Sequence, residues 1–247
     1  MVLKHRLHRA LAPLIYRHRS AVVPGRIADA WPERRFIRQL LRELEIDCVL
    51  DVGANQGQFA RELRALGYEG LILSFEPSPD SFELLQAESA SDRSWHAFAF
   101  ALGAEAGEAT LHQMVSPVFN SLRLPTTGET RHYERNNRVV AEVKVPVKRL
   151  DSVLPGLQHD FGFKRPYLKT DTQGFDLEVF AGASGAWSDI LALQAELPIK
   201  RIYEATPTML EALAAYEVGG FHLIGVFPVN PGDRPLSELN CFLQRGD

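Results

Sequence analysis

The chain has 247 residues, 45% of them hydrophobic and 23% charged, with a formal net charge of −4. That length suits one α/β domain with a full core and would leave two complete domains with small ones. The charge excludes a general polyanion-binding surface, and no apolar run approaches the ~18 residues that span a bilayer. Charges also break up the N-terminal apolar residues, so no signal peptide is expected and the protein reads as cytoplasmic. Cys48 and Cys241 stand far apart, outside any metal-type or Cys-x-x-Cys spacing, and read as buried thiols of a reducing compartment rather than a disulfide.

Residues 1–26 carry Lys4, Arg6, Arg9, Arg17, Arg19 and Arg26, and no acid precedes Asp29. Leu3, Leu7, Ala10, Leu11, Leu14 and Ile15 recur at helical spacing, which predicts a basic amphipathic helix ending near Pro24-Gly25. Its apolar stripe either packs on the domain or lies, through residues 1–24, on an anionic membrane face or a lipid-linked substrate. Residues 27–247 are expected to form a single domain.

From Pro32 onward strands and helices alternate. Helix is expected over 33–45, strand over Asp47–Val52, helix over Gln58–Leu66, strand over Leu71–Phe75 and helix over Ser78–Ser89, with Ser78 or Asp80 near its start. Trp95–Leu102 and Ala109–Gln113 read as strands, and residues 115–137 as a long polar loop. Val139–Val147 alternates as a strand. Then come strand Tyr167–Thr170, helix Phe175–Phe180, strand Ile190–Ala195, helix Pro207–Tyr216, and strands Phe221–Phe227 and Leu239–Gln244. Strands separated by helices imply a doubly wound, mostly parallel sheet covered on both faces. The last two strands lack an intervening helix, so the final one should be antiparallel.

The chemistry concentrates at strand ends. The first strand runs through Asp51-Val52 into Gly53-Ala54-Asn55-Gln56-Gly57 and then a helix containing Phe59. Glycines at 53 and 57 let the backbone pass close to a ligand, at the sheet edge where such folds bind. Asn55 departs from the dinucleotide pattern Gly-x-Gly-x-x-Gly, and no Gly-Lys-Ser/Thr follows, so neither a pyrophosphate loop nor a P-loop is present. Asp51 suits a cationic ligand or a bound water network instead. Phe75-Glu76-Pro77-Ser78 ends the second strand with an acid that can accept both hydroxyls of a ribose. Together the two elements point to a nucleoside-containing cofactor.

These segments resemble the first two motifs of class I methyltransferases, and more narrowly the FkbM family. The resemblance extends to Ala101-Leu102-Gly103, to Val147-Lys148-Arg149-Leu150-Asp151-Ser152, and to the block Leu168-Lys169-Thr170-Asp171-Thr172-Gln173-Gly174-Phe175-Asp176-Leu177-Glu178-Val179. It continues through Gln194-Ala195-Glu196 to Gly220-Phe221, covering roughly residues 45–245. Asp176 stands where the family more often has Glu, and Thr170 and Thr172 replace commoner aliphatic residues. The resemblance implies a seven-stranded Rossmann-like sheet binding S-adenosyl-L-methionine, and O-methylation of a hydroxyl on a sugar, glycolipid or polyketide-type acceptor. Gly53, Ala54, Asn55 and Gly57 would line the methionine end, Glu76 would hold the ribose, with Asp51, Phe59 and Pro77 nearby, and Ala101 and Leu102 would flank the adenine.

Alkylating an alcohol needs a positioned proton acceptor, which contributes about 10²–10⁴-fold. Asp171 is the leading candidate, ending a central strand. Lys169, two residues earlier, should face the same side and keep it ionised. The alternative is a structural ion pair. Glu196, ending the next strand, is the second candidate. Asn120, Ser121, Arg123, His132 and Tyr133 in the 115–137 loop suit a carbohydrate acceptor. No metal constellation is evident, although Asp171 and Glu196 with substrate oxygens could hold a divalent ion. A nicotinamide-dependent oxidoreductase of related fold and a catalytically silent cofactor-binding module are the competing readings. No nucleic-acid partner is expected.

Overall fold

A computed structural model describes residues 25–126, 133, 135–230 and 236–246, with side chains from Trp31 onward. The expected helix over 1–26 lies, up to residue 24, outside the described residues, and so does His132. Helix α1 (Gly25–Glu43) leads into strand β1 (Cys48–Val52), and α2 (Gln58–Ala65), β2 (Leu71–Phe75), α3 (Pro79–Ser89) and β3 (Trp95–Phe98) follow. The helix expected over 33–45 therefore starts earlier, and Pro32 lies inside it. Ser78 is the N-cap of α3 and Pro79 its first residue, where the missing N–H of proline costs nothing.

Two short strands, β4 (Ala101–Leu102) and β5 (Gly107–Met114), pair with β6 (Val139–Lys148) in a small three-stranded sheet. The continuous strand expected over Trp95–Leu102 is thus two strands in two sheets. The chain turns at Ala99-Phe100, where the Phe75, Phe98 and Phe100 rings pack together, and no Gly, Pro or Asn marks the break. Helix α4 (Leu150–Phe161) is absent from the sequence reading, because Pro155-Gly156 looks like a turn. Leu150, Leu154 and Leu157 nonetheless share a buried face at helical spacing, and Gly162 closes the helix at φ +75°.

The chain continues through β7 (Pro166–Thr170), α5 (Asp176–Ala181), β8 (Ala192–Pro198), α6 (Met209–Val218), β9 (Phe221–Pro228) and β10 (Glu238–Arg245). Thr208 and Glu211 form a capping box that starts α6. The large sheet has the order β3-β2-β1-β7-β8-β10-β9. Only β10 is antiparallel to its neighbours, so the mostly parallel seven-stranded sheet with an antiparallel last strand is as expected. No helix among the described residues is long and apolar enough to cross a membrane.

Strand residues alternate between two cores. Leu50, Leu168, Leu193 and Leu243 pack with Leu150, Phe180 and Tyr216 on one face. Val49, Tyr167, Ala192 and Phe242 pack with Ile37, Leu40 and Leu63 of α1 and α2 on the other. Cys48 and Cys241 are free and buried as expected, and burial pushes the Cys241 thiol up to about 11.

Candidate active site

The turn after β1 is shaped by two backbone contacts. The N–H groups of Gly53 and Ala54 donate to the Phe75 carbonyl at 3.0 and 3.1 Å. Gly53 (φ +74°) leaves no room for a side chain, since a Cβ there would collide with the Asp171 carbonyl oxygen. Gly57 (φ +78°) is closed off by the Trp95 indole in the same way. Both positions need glycine for conformation and for space.

Glu76 closes the other side of the turn. One carboxylate oxygen accepts from the Asn55 N–H and the other from the Ser78 N–H, each at 2.8 Å. Burial pushes its carboxyl up to about 7 against the pull of those two donors and of the Lys169 charge. Each oxygen keeps a lone pair for a further donor. A cavity of about 470 Å³ opens over the turn, lined by Gly53, Ala54, Asn55, Phe59, Glu76 and Pro77. That volume lies within the range of about 300–1,000 Å³ usual for small-molecule sites.

The same cavity reaches Ala101 and Leu102, Asn120 and Ser121, and the ends of β7 and β8 at Lys169, Asp171 and Glu196. Residues from six separate segments of the sequence are thereby brought to one edge of the sheet. Asp51 lies fully buried below the cavity. Strand register places Ser74, Asp51, Lys169 and Gln194 side by side across four strands. The Trp95 indole donates to Ser74 (2.9 Å) and the Ser74 hydroxyl to Asp51 (3.2 Å). The Lys169 ammonium sits 3.0 Å from Asp51 and 3.5 Å from Asp171, with the Phe59 ring 5.3 Å away. Burial alone would lower the Lys169 pKa, but the charges of Asp51 and Asp171 outweigh it and hold the ammonium protonated.

Asp171 and Glu196 form a carboxyl pair with opposite shifts. Burial works against the charge of Asp171, yet Lys169 and the hydrogen bonds from Glu196 and Gln173 hold it below the usual carboxylate range. Burial and the Asp171 charge push Glu196 well above that range. The opposite shifts favour the Glu196 side for any proton the pair shares. The Gln173 amide donates to both, at 3.0 and 3.3 Å. Gln173 is itself in the left-handed region at φ +53°. The buried Tyr203 hydroxyl lies 2.8 Å from the Gln173 amide oxygen and 2.9 Å from the Phe119 carbonyl.

The described residues of the 115–137 segment are tied to the domain at several points. A 3₁₀ turn spans Pro117–Phe119, and isolated bridges join Ser121 to His112 and Pro125 to Tyr203. Asn120 accepts from the Met114 N–H at 2.8 Å, and Ser121 donates to the Gln173 carbonyl at 2.7 Å. Arg123 lies outside the cavity, held by the Gly174 carbonyl and Glu178. Tyr133 also lies outside it, packed on Phe119 and bonded to Ser237. Asn120 and Ser121 therefore line the cavity while their polar atoms pin the segment down.

Gln173, Tyr203 and Gln194 were not singled out in the sequence. Gln194 was within reach, since it precedes Glu196 by two positions on one strand and must share its face. Nothing local marks Gln173 as left-handed. The three departures noted above are spatial neighbours. Asp176 is buried, burial pushes its carboxyl up to about 6, and the Thr170 and Thr172 hydroxyls pull it back down.

A doubly wound sheet with the strand order above, a glycine turn after β1 and an acid ending β2 is the arrangement of class I methyltransferases. The sequence matches the family model of the methyltransferase FkbM domain over residues 51–221, and the chain belongs to that family. It is a methyltransferase whose cofactor is S-adenosylmethionine, which sets aside the oxidoreductase reading. No curated protein sequence matches the chain. Similar solved structures include the magnesium protoporphyrin IX methyltransferase of Synechocystis PCC 6803 with bound cofactor, at 11% identity and TM-score 0.46, covering 98% of this chain and 96% of that one. Fibrillarin of Aeropyrum pernix with S-adenosyl-L-methionine follows at 13% identity and TM-score 0.46, covering 85% and 74%. The precorrin-6y C5,15-methyltransferase of Geobacter metallireducens has 10% identity and TM-score 0.41, covering 85% and 88%.

Proposed function

We propose that the protein methylates a hydroxyl of a sugar, glycolipid or polyketide-type acceptor, with Asp171 receiving the proton. The residues fit the cofactor in two respects. A Cβ at Gly53 would collide with the Asp171 carbonyl, and Glu76, with one backbone N–H on each oxygen, lines a cavity large enough for a nucleoside. Gly53, Ala54, Asn55 and Gly57 would cradle the methionine end, Glu76 the ribose, and Ala101 and Leu102 the adenine. When bound, the cofactor supplies an electrophilic methyl group on a sulfonium leaving group.

The observation that carries the proposal is the Asp171 carboxylate lining the cavity beside the glycine turn, 3.5 Å from the Lys169 ammonium. A carboxylate below its usual range is a weak base, but it is ionised at all working pH values. The hydroxyl proton grows acidic as its oxygen gains positive character, so a weak, fully ionised acceptor suffices late in the reaction. Gln173 fixes the carboxylate's orientation, and Glu196 holds the neighbouring proton. Asp171→Asn should lower turnover at least tenfold, measured as labelled methyl entering a glycan or lipid acceptor, with S-adenosylhomocysteine affinity changed less than twofold. Turnover equal to wild type would remove Asp171 from this role.

A further inference from the structure

The cavity does not end at the residues assigned to the cofactor. Beyond Lys169 it runs between α1 and the sheet, lined by Glu33, Arg34, Glu62, Gln194, Val229 and Asn240. Gln194 is only 5% exposed. Its amide oxygen accepts from the Tyr167 hydroxyl at 3.2 Å, while its amide nitrogen has no hydrogen-bond partner among the described residues. A buried amide fixed on one side and unpaired on the other is a donor awaiting an acceptor atom.

The opposite wall supplies acceptors. One oxygen of Glu33 accepts from Asn240 at 2.8 Å, which leaves the rest of the carboxylate to the chamber. Glu196 stands one strand away from Asn240 in direct register. Among the described residues, the two cations that line the chamber are both engaged by carboxylates. Arg34 makes two bonds to Glu62, at 2.6 and 3.2 Å, and Lys169 lies between Asp51 and Asp171. An anionic group entering here would meet Glu62, Asp171 and the unshared oxygen of Glu33, with Arg34 and Lys169 already committed to carboxylates. A ring bearing several hydroxyls meets the opposite situation, since its O–H groups can donate to the carboxylates and one of its oxygens can accept from Gln194.

We infer that this chamber between α1 and the sheet is the acceptor subsite, that Gln194 and Glu33 are its recognition residues, and that it selects an uncharged polyhydroxy ring over phosphorylated or acidic ones. The inference rests on the hydroxyl-methylation reading for its purpose, but its binding test does not depend on turnover. The probes are methyl α-glucopyranoside, glucose 6-phosphate and glucuronate, offered at equal concentration to the full chain saturated with S-adenosylhomocysteine. Saturation-transfer NMR should show at least fivefold more transfer to the neutral glycoside than to either charged sugar. Gln194→Met and Glu33→Gln should each cut that transfer at least fivefold, with S-adenosylhomocysteine affinity within twofold of wild type and the unfolding midpoint confirming a folded protein. Equal or stronger transfer to the charged sugars, no transfer to the neutral one, or unchanged transfer in both variants would overturn the inference. Asp171→Asn separates it from its parent reading. Glycoside binding that persists there with turnover lost supports both, and glycoside binding with full turnover keeps the subsite while removing the base.

Discussion

The two faces of the central sheet are built from the same strands and serve opposite ends. On β1, β7 and β8 the residues Leu50, Leu168 and Leu193 face α4–α6 and are at most 1% exposed. One position along each strand, Asp51, Lys169 and Gln194 face α1 and α2. A period of two therefore sorts a largely apolar core from a lane of buried polar groups. The apolar face contributes stability without chemical specificity. The polar lane accepts the desolvation of its charges and sets the protonation of the groups at its open end.

Breaking the lane at its middle should have the largest effect. Lys169→Met leaves Asp51 and Asp171 close together with no cation, and removing one partner of a buried ion pair typically costs about 3–5 kcal/mol. Denaturant unfolding should register that loss, and turnover should fall with it. Leu168→Ala, one residue away on the other face, should cost about 2–4 kcal/mol. Turnover per folded molecule should there stay within about twofold, which is the sharpest form of the comparison.

Asp176 tests whether a carboxyl on the apolar side is tolerated or wanted. Its folded pKa of about 6 lies above the ordinary 3.8. Its contribution to stability is therefore present below pH ~4 and lost as pH rises through 6. Asp176→Asn should raise stability by about 1–3 kcal/mol at pH 7 and leave it nearly unchanged at pH 4. Glu76, whose carboxyl sits at about 7, tests the cofactor end proposed for it. Only the ionised form can accept two hydroxyls, so S-adenosylhomocysteine affinity should fall up to tenfold per unit as pH drops from 7 towards 5. Calorimetric titration should show this slope, and Glu76→Gln should flatten it.

What was legible in the sequence follows from the range of the interactions. Lys169 and Asp171 stand two apart on one strand, so their shared face follows from strand geometry. The Gly53–Gly57 turn and the Glu76 strand end were readable because each is a local pattern. The Asp51–Lys169 pair joins residues 118 positions apart in the chain, and no local signal gives the register of two strands. Helix α4 was hidden by a proline and a glycine that its apolar spacing overrides. Arg123 and Tyr133 look like recognition residues by type, yet their partners Glu178 and Ser237 lie far along the chain and draw them away from the cavity.

The Tyr203 hydroxyl has a mechanical consequence. Its single O–H is shared between two acceptors, the Phe119 carbonyl and the oxygen of the Gln173 amide that donates to Asp171 and Glu196. Residues 124–126 are stitched to the same stretch through the Glu204 N–H and the Ile202 carbonyl. Loss of the Phe119 contact would leave the whole O–H to the Gln173 amide oxygen. One phenol thus links the Pro117–Phe119 turn to the amide that orients two carboxyl groups.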